Sequence, residues 1–220
     1  MAFKTLDQLR TVLLNPELGL TSDGDNVWGT TADRNRYIQT AIAKLWPNVA
    51  KLARENVTIT ANVQDYTLTT LYDVERIDIT DPALSTLRSD RIKSWNVWVD
   101  ESAGDPPVIR LLIPAGLSAG LTIVCTGYAP YVIPSAGGSS CDIPPRLEWL
   151  VTAGARVECY RSMANKYANF ERFQNENRQN ALGASDVLEL LRQAQREFGQ
   201  AMTDNARNFT GAHRARSQLT

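Results

Sequence analysis

The chain has 220 residues, of which 43% are hydrophobic and 21% charged, and its formal net charge is −1. These values are typical of a globular protein and exclude both a chain that is disordered throughout and a polycation that coats nucleic acid. The sequence has no run of about 18 apolar residues, and its first residues lack the apolar core of a signal peptide, so we expect no membrane contact and synthesis in the cytoplasm.

The N-terminal region predicts a short helix followed by a loop. The segment Thr5–Gln8 has capping-box spacing, in which a threonine hydroxyl and a glutamine amide each satisfy a free backbone N–H, and Pro16 is expected to end the helix. Residues 18–30 are rich in Gly, Asp, Asn, Ser and Thr. We therefore expect a loop, held in place mainly by the aromatic side chain of Trp28.

The next region predicts a second helix and then strands. Apolar residues recur at helical spacing over residues 31–53, and Pro47 is expected to kink or break this helix because proline removes a backbone hydrogen bond. The pattern then changes to alternation, which indicates strands, and the short turns between them favour antiparallel pairing. The predicted strands are residues 57–60, 66–68, 74–79, 92–99, 108–113 and 121–128.

The C-terminal region predicts two further helices. Apolar residues at spacings of three and four indicate a long helix over residues 146–179, which we expect to break near residues 164–169 unless it packs against a neighbouring molecule. A last helix with one apolar face follows Gly183. The predicted fold class is α+β: a helical bundle of two N-terminal and two C-terminal helices with an inserted antiparallel β segment.

This order of elements divides the chain into four parts. Residues 1–55 form the N-terminal helices of the bundle, 56–134 the antiparallel β insertion, 135–204 the long C-terminal helices, and 205–220 a flexible basic tail.

Residue patterns typical of catalytic or metal sites are missing. The one histidine, His213, lies in the tail, and Cys125, Cys141 and Cys159 form no Cys-x-x-Cys pair, so reduced and mostly buried thiols are expected. Residues 23–26 resemble part of a calcium loop but lack the closing glutamate. We find no nucleophile elbow, metalloprotease helix or phosphate loop. We therefore expect no enzyme, no cofactor and no metal.

Two tryptophans are candidates for an interface. Alternation along the predicted strand places Trp95 and Val97 on one face and Trp98 on the other. Several basic residues precede them, so a base-stacking patch is one interpretation. We favour the other, in which Trp95 and Trp98 belong to the sheet core or to a subunit interface.

Several segments together carry a resemblance to a known family. They are Thr5–Arg10, the loop containing Trp28 with the helix after it, Val57–Thr60 leading to Asp65–Leu68, Asp73–Ile77, Leu121–Tyr128, and Asp142–Pro145 entering a long helix. On these segments the chain resembles the head-to-tail adaptor (connector, head-completion) proteins of tailed bacteriophages. It departs from the shorter, all-helical adaptors in having the β segment.

The resemblance implies a structural virion protein of the head–tail junction, made in the host cytoplasm. Such a protein forms a ring of copies of itself, dodecameric in this family, beneath the portal protein. The ring would extend the DNA channel, help retain the genome until ejection, and provide a docking platform for the next neck, stopper or tail protein. Genomic DNA would pass through without sequence-specific binding, which suits a chain whose net charge is near zero.

The tail is the predicted portal contact. It contains no acidic residue after Asp204, and we expect it to become ordered when it docks. An ordinary frayed terminus is the alternative. The portal-contacting candidates are Arg207, Phe209, His213, Arg214 and Arg216.

Three other functions remain open. Another neck component, such as a stopper or tail-completion protein, would share the location, although such proteins are more often β-dominated. A DNA-binding packaging or regulatory protein would use the basic tail with Trp95 and Trp98. An enzyme with an unrecognised site is the third.

Overall fold

A computed structural model describes residues 3–25, 27–80, 95–100, 108–113, 119–167 and 184–206. The protein is α+β, as predicted, and divides into two compact units. The helical unit comprises Met1–Val49 and Tyr131–Thr220, and the sheet unit comprises Ala50–Pro130. The predicted β insertion, residues 56–134, overlaps the sheet unit, which begins and ends earlier in the chain.

Four helices, a single-turn 3-10 helix (Pro145–Leu147) and six strands lie within the described residues. Helix α1 has three consecutive pieces, and the helices are α1 (α-helical Leu6–Gln8, π-helical Leu9–Leu14, α-helical Asn15–Glu17), α2 (Thr31–Leu45), α3 (Glu148–Tyr167) and α4 (Ala184–Asp204). The strands are β1 (Lys51–Thr58), β2 (Asp65–Leu68), β3 (Asp73–Thr80), β4 (Asn96–Asp100), β5 (Val108–Leu112) and β6 (Thr122–Ala129). No helix in these ranges is both long and apolar enough to cross a membrane.

Helix α1 begins as predicted but continues beyond the predicted end. The Thr5 hydroxyl accepts a hydrogen bond from the Gln8 backbone N–H at 3.3 Å, and the Gln8 side chain accepts one from the Thr5 N–H at 2.9 Å, so the capping box is confirmed. The expectation that Pro16 ends the helix was wrong. Pro16 lies at the start of the third piece, where a missing N–H breaks no hydrogen bond within that piece.

The middle of α1 is wound more loosely than an α-helix. The Asn15 backbone N–H donates to the Arg10 carbonyl, five residues earlier, which is the hydrogen bond of a π-helix. This winding brings Leu9 and Leu14, also five residues apart, to the same side, and both are buried. Val12 is left 57% exposed.

Helix α2 is shorter than its apolar pattern predicts. It begins with a second capping box, between Thr30 and Asp33, and ends at Leu45. The expectation of a break near Pro47 is confirmed, but the expectation that the helix extends to residue 53 was wrong. The chain leaves the helix before the proline, and strand β1 begins at Lys51.

Helices α2, α3 and α4 meet at Gly154, a residue without a side chain. A Cβ atom at this position would lie 2.9 Å from the Ala41 Cβ and 3.0 Å from Phe198, so only glycine allows this approach. The loop before α2 joins the same core. The Trp28 Nε1 donates to the Leu18 carbonyl at 2.9 Å, and its ring meets Tyr160 edge to face at 5.1 Å, which confirms the predicted aromatic anchor.

The sheet unit contains two three-stranded sheets, in the orders β1-β6-β3 and β2-β5-β4. All neighbouring strands are antiparallel, as predicted. In the first sheet, the register of β3 shifts between Val74 and Arg76, opposite Gly127 on β6. A Cβ at Gly127 would lie 2.0 Å from the Asp73 carbonyl oxygen, so this close backbone contact requires glycine.

Two predictions fall partly outside the described residues. Helix α3 is described from Glu148 to Tyr167, and the predicted continuation to residue 179 lies outside them. The tail from Arg207 onward lies outside them as well.

Candidate functional site

The helical unit carries an open groove with an apolar floor between α1, α3 and α4. Its volume is about 600 Å³. We call it the Trp149 groove, because the Trp149 side chain is 49% exposed along it. The apolar residues that line it are Val12, Leu13, Pro16, Pro145, Trp149 and Ala153. An exposed tryptophan beside exposed aliphatic side chains is typical of a surface that binds another polypeptide segment.

Charged side chains surround this apolar floor. Glu148, 6% exposed, accepts a hydrogen bond from Lys4 through Oε2 at 2.5 Å, whereas its buried Oε1 has no hydrogen-bond partner among the described residues. The Arg156 Nη1 lies 3.4 Å from Glu17 and 3.5 Å from Glu197, and its Nε atom likewise has no partner there. Two residues that line the groove therefore each carry a buried polar atom without a partner among the described residues, one an acceptor and one a donor, and a hydrogen bond to either atom would be stabilising.

The π-helical piece of α1 supports a second charged cluster, in the loop before α2. Arg10 is buried and forms ion pairs with Asp7 at 2.6 Å and with Asp23 at 2.8 Å. The hydrogen bond from Arg10 lowers the pKa of Asp23 below its ordinary value. Asp25 instead accepts hydrogen bonds from the Ser22 backbone N–H and from the Thr21 hydroxyl, which lower its pKa.

These contacts explain the partial calcium-loop pattern of residues 23–26. The two carboxylates in the pattern bind side chains and backbone groups of their own unit, which shapes the loop. Within the ranges that the structure describes, no group of three or more His, Cys, Asp or Glu side chains is arranged to hold a metal ion.

Arg34 of α2 fixes the same loop from inside. Its side chain is completely buried, and its guanidinium donates to three backbone carbonyls: Asp25 at 2.5 Å, Gly29 at 2.8 Å and Asp23 at 2.8 Å. The sequence analysis did not identify Arg34. An arginine four residues after a capping threonine ordinarily faces solvent, and no local pattern distinguishes this one.

The sheet unit has its own exposed aromatic surface. Trp98 on β4 lies opposite Arg110 on β5, and the Arg110 guanidinium donates to the Thr67 hydroxyl on β2 at 3.0 Å. Trp98 and Leu112 are each 42% exposed. We call this surface, defined by Thr67, Trp98, Arg110 and Leu112, the Trp98 face. Trp95 instead packs against the buried core of the sheet unit.

Arg207, Phe209, His213, Arg214 and Arg216 lie outside the described residues, so their role as portal contacts stays a prediction.

The three cysteines are free, buried thiols. Burial raises the pKa of Cys125 and Cys159 to about 12 and that of Cys141 to about 11. Thiols with such high pKa values stay protonated at neutral pH and are poor nucleophiles.

Sequence analysis also missed Trp149, although a signal was present. The buried side of α3 carries Leu150, Val151 and Gly154, and Trp149 lies off that stripe. A tryptophan outside the apolar stripe of an amphipathic helix indicates a surface that is covered by something else.

Comparison with protein-family models and with characterised proteins finds no match to this chain.

Proposed function

We propose that this chain is a structural virion protein that joins the head of a tailed bacteriophage to its tail. It forms a ring of its own copies beneath the portal protein and continues the DNA channel. The ring also provides the surface on which the next neck or tail protein docks.

The observation that carries this proposal is the pair of exposed aromatic surfaces, one on each unit. The Trp149 groove lies on helices, and the Trp98 face lies on a sheet. A subunit of a closed ring meets its two neighbours through two different patches, because head-to-tail contacts generate rings. Tryptophan and arginine are enriched in such patches, and both surfaces contain both residue types.

The fold supports the same proposal. The chain has two N-terminal helices, an antiparallel β segment and two C-terminal helices, which is the order of elements on which the adaptor resemblance was based. The net charge of −1 over 220 residues also suits a channel protein, because a strongly basic wall would hold the passing DNA through its phosphates.

The experiment is a binding assay between the purified chain and candidate portal rings. We expect deletion of residues 205–220 to abolish portal binding while the circular dichroism spectrum shows that the fold is intact. Arg192→Ala provides the control, because this side chain lies exposed on α4 and does not line the Trp149 groove. Undiminished portal binding by the deletion variant would contradict the assigned role of the tail.

A second candidate function is supported by one observation. The Trp98 and Arg110 pair, in register on neighbouring strands, has the composition of a base-stacking site with a phosphate partner. A packaging or regulatory protein that binds DNA would use it. Salt-sensitive retention on single-stranded DNA that disappears in Trp98→Ala would favour this function over the adaptor.

A further inference from the structure

The end of α4 lies beside the Trp149 groove. A Cβ at Gly154 would touch Phe198, and Arg156 pairs with Glu197. Residue numbers therefore rise along α3 in the direction in which they fall along α4, so the two helices are antiparallel. Trp149 precedes Gly154 by five residues, and Thr203 follows Phe198 by five. At about 1.5 Å of rise per residue, Trp149 and Thr203 each lie about 7.5 Å from the contact between Gly154 and Phe198, on the same side of it. Trp149 is therefore level with the last turn of α4.

The chain that follows α4 begins at this end of the helical unit. Residues 207–220 continue from Ala206, two residues after α4 ends at Asp204. Fourteen extended residues reach up to about 46 Å. This is longer than the groove needs, since the groove spans about two turns of α3, from Glu148 to Arg156.

The composition of this segment complements the groove. Three carboxylates, of Glu17, Glu148 and Glu197, lie at the groove together with two cations, those of Lys4 and Arg156. One buried carboxylate oxygen, Oε1 of Glu148, still lacks a donor among the described residues. Residues 207–220 bring three arginines and no acidic residue, together with one aromatic ring.

We propose that residues 207–220 bind in the Trp149 groove of their own chain. The Phe209 ring packs against Trp149 and Val12, and a tail arginine donates to the free oxygen of Glu148. An arginine suits this oxygen because its guanidinium keeps its charge at every working pH and offers several donors at once. A backbone carbonyl of the tail accepts a hydrogen bond from the Arg156 Nε–H, which gives this buried donor the partner that it lacks among the described residues.

This inference is independent of the adaptor function. It concerns the isolated chain and places the tail in a docked state before any partner is present. If the tail also contacts the portal, it must first leave the groove, and the groove then opens for a neighbouring subunit.

The test measures the solvent exposure of Trp149 in the full chain. The protein is labelled with 5-fluorotryptophan, and a soluble gadolinium chelate broadens the fluorine resonance of each exposed ring. Trp149→Phe and Trp98→Phe variants assign the two resonances. Trp98 is the matched control, because its exposure in the described residues is 42% against 49% for Trp149.

We expect the chelate to broaden Trp149 several-fold less in the full chain than in a chain that ends at Ala206, whereas Trp98 is broadened equally in both. Phe209→Ala should restore the exposure of Trp149, and Glu148→Gln should restore part of it. Gln218→Ala, an uncharged control in the same segment, should change nothing. Raising the salt concentration should also expose Trp149 in the full chain, because salt screens partly exposed ion pairs.

Two results would overturn the inference. Equal broadening of Trp149 in the full chain, in Phe209→Ala and in the shortened chain would mean that the tail does not occupy the groove. Protection that falls on dilution of the protein would assign the groove to a second copy of the chain. Neither result depends on portal binding, so failure of this inference is distinguishable from failure of the proposed function.

Discussion

Replacement of Arg34 by methionine tests how the loop of residues 21–30 is held. The buried guanidinium donates three hydrogen bonds to backbone carbonyls and also lies 3.5 Å from the Asp23 carboxylate. Methionine keeps most of the apolar length of the side chain but provides no donor. The variant therefore leaves three carbonyl groups without the partner that they have in the native protein.

The expected loss is large for a single substitution. A hydrogen bond to a charged group contributes about 1.5–3 kcal/mol, so three such bonds set an upper range of about 4.5–9 kcal/mol. Bonds that share one guanidinium are not additive, and water can reach carbonyls at the edge of the loop. Removing one member of a buried charged network typically costs about 3–5 kcal/mol, and we expect Arg34→Met to fall in that range.

The assay is urea unfolding followed by circular dichroism, together with hydrogen exchange of the backbone amides in residues 21–30. Arg36→Met is the matched control: the same change, two residues further along α2, at an exposed position. We expect the control to change the free energy of unfolding by less than about 0.5 kcal/mol, as is usual for a surface substitution. A similar small change in Arg34→Met, with loop amides protected as in the native chain, would refute the assignment of Arg34 as the anchor.

Three further predictions follow from contacts elsewhere in the chain. Gly127→Ala should lower the stability of the sheet unit by about 1–3 kcal/mol in denaturant unfolding, the usual cost of overpacking, because its Cβ would lie 2.0 Å from the Asp73 carbonyl oxygen; wild-type stability would contradict the close approach. Burial alone would raise the pKa of Glu55, but the backbone N–H groups of the turn after β2 donate to its carboxylate and hold that pKa below its ordinary value of 4.5. The stabilising effect of the Glu55 carboxylate is therefore complete above about pH 4.5, and it is lost as the pH falls through the lower pKa of the folded state. Glu55→Gln should therefore be less stable at pH 7 and show a flatter loss of stability in acid; an unchanged pH profile would refute this role. The three buried cysteines should not react with a disulfide reagent at pH 8 in the folded protein, and all three should react in denaturant; fast reaction in the native state would contradict their burial.

The fold class could be predicted because capping residues, helical spacing and alternation indicated mutually consistent elements. Capping residues at Thr5, helical spacing after Thr31 and alternation from residue 66 onward agreed with the elements that form, whereas β1 begins at Lys51, ahead of the strand predicted over residues 57–60. The errors occurred where a local pattern continued past a structural break. Apolar residues stay at helical spacing beyond Pro47, yet the chain turns into β1, because the proline ring excludes the preceding residue from the helix.

The interior of α1 could not be predicted, for a different reason. A period of 3.6 groups Val12 with Leu9, whereas the π-helical winding groups Leu14 with Leu9. That winding coincides with the burial of Arg10 against Asp23, a contact between residues that are distant in sequence. Tertiary contacts of this kind decide a helix's winding without leaving a local pattern.

The candidate surfaces were only partly predictable. Alternation correctly separated Trp95 from Trp98, because side chains in a strand point to opposite faces in turn. The Trp149 groove required three helices to meet, and no pattern within α3 alone indicates that Val12 and Pro16 lie across from Trp149. Its unpaired Glu148 oxygen could be recognised only after the neighbours of that carboxylate were known.

The most direct test of the proposed function is the mass of the complex with a portal ring. Light scattering coupled to chromatography would measure the chain alone, the ring alone and their mixture. The adaptor proposal predicts that the chain joins the ring in a fixed ratio of one copy per portal subunit and that added DNA does not displace it. A chain that ignores every portal ring and instead changes its mass on addition of DNA would contradict the proposal and favour a DNA-binding role.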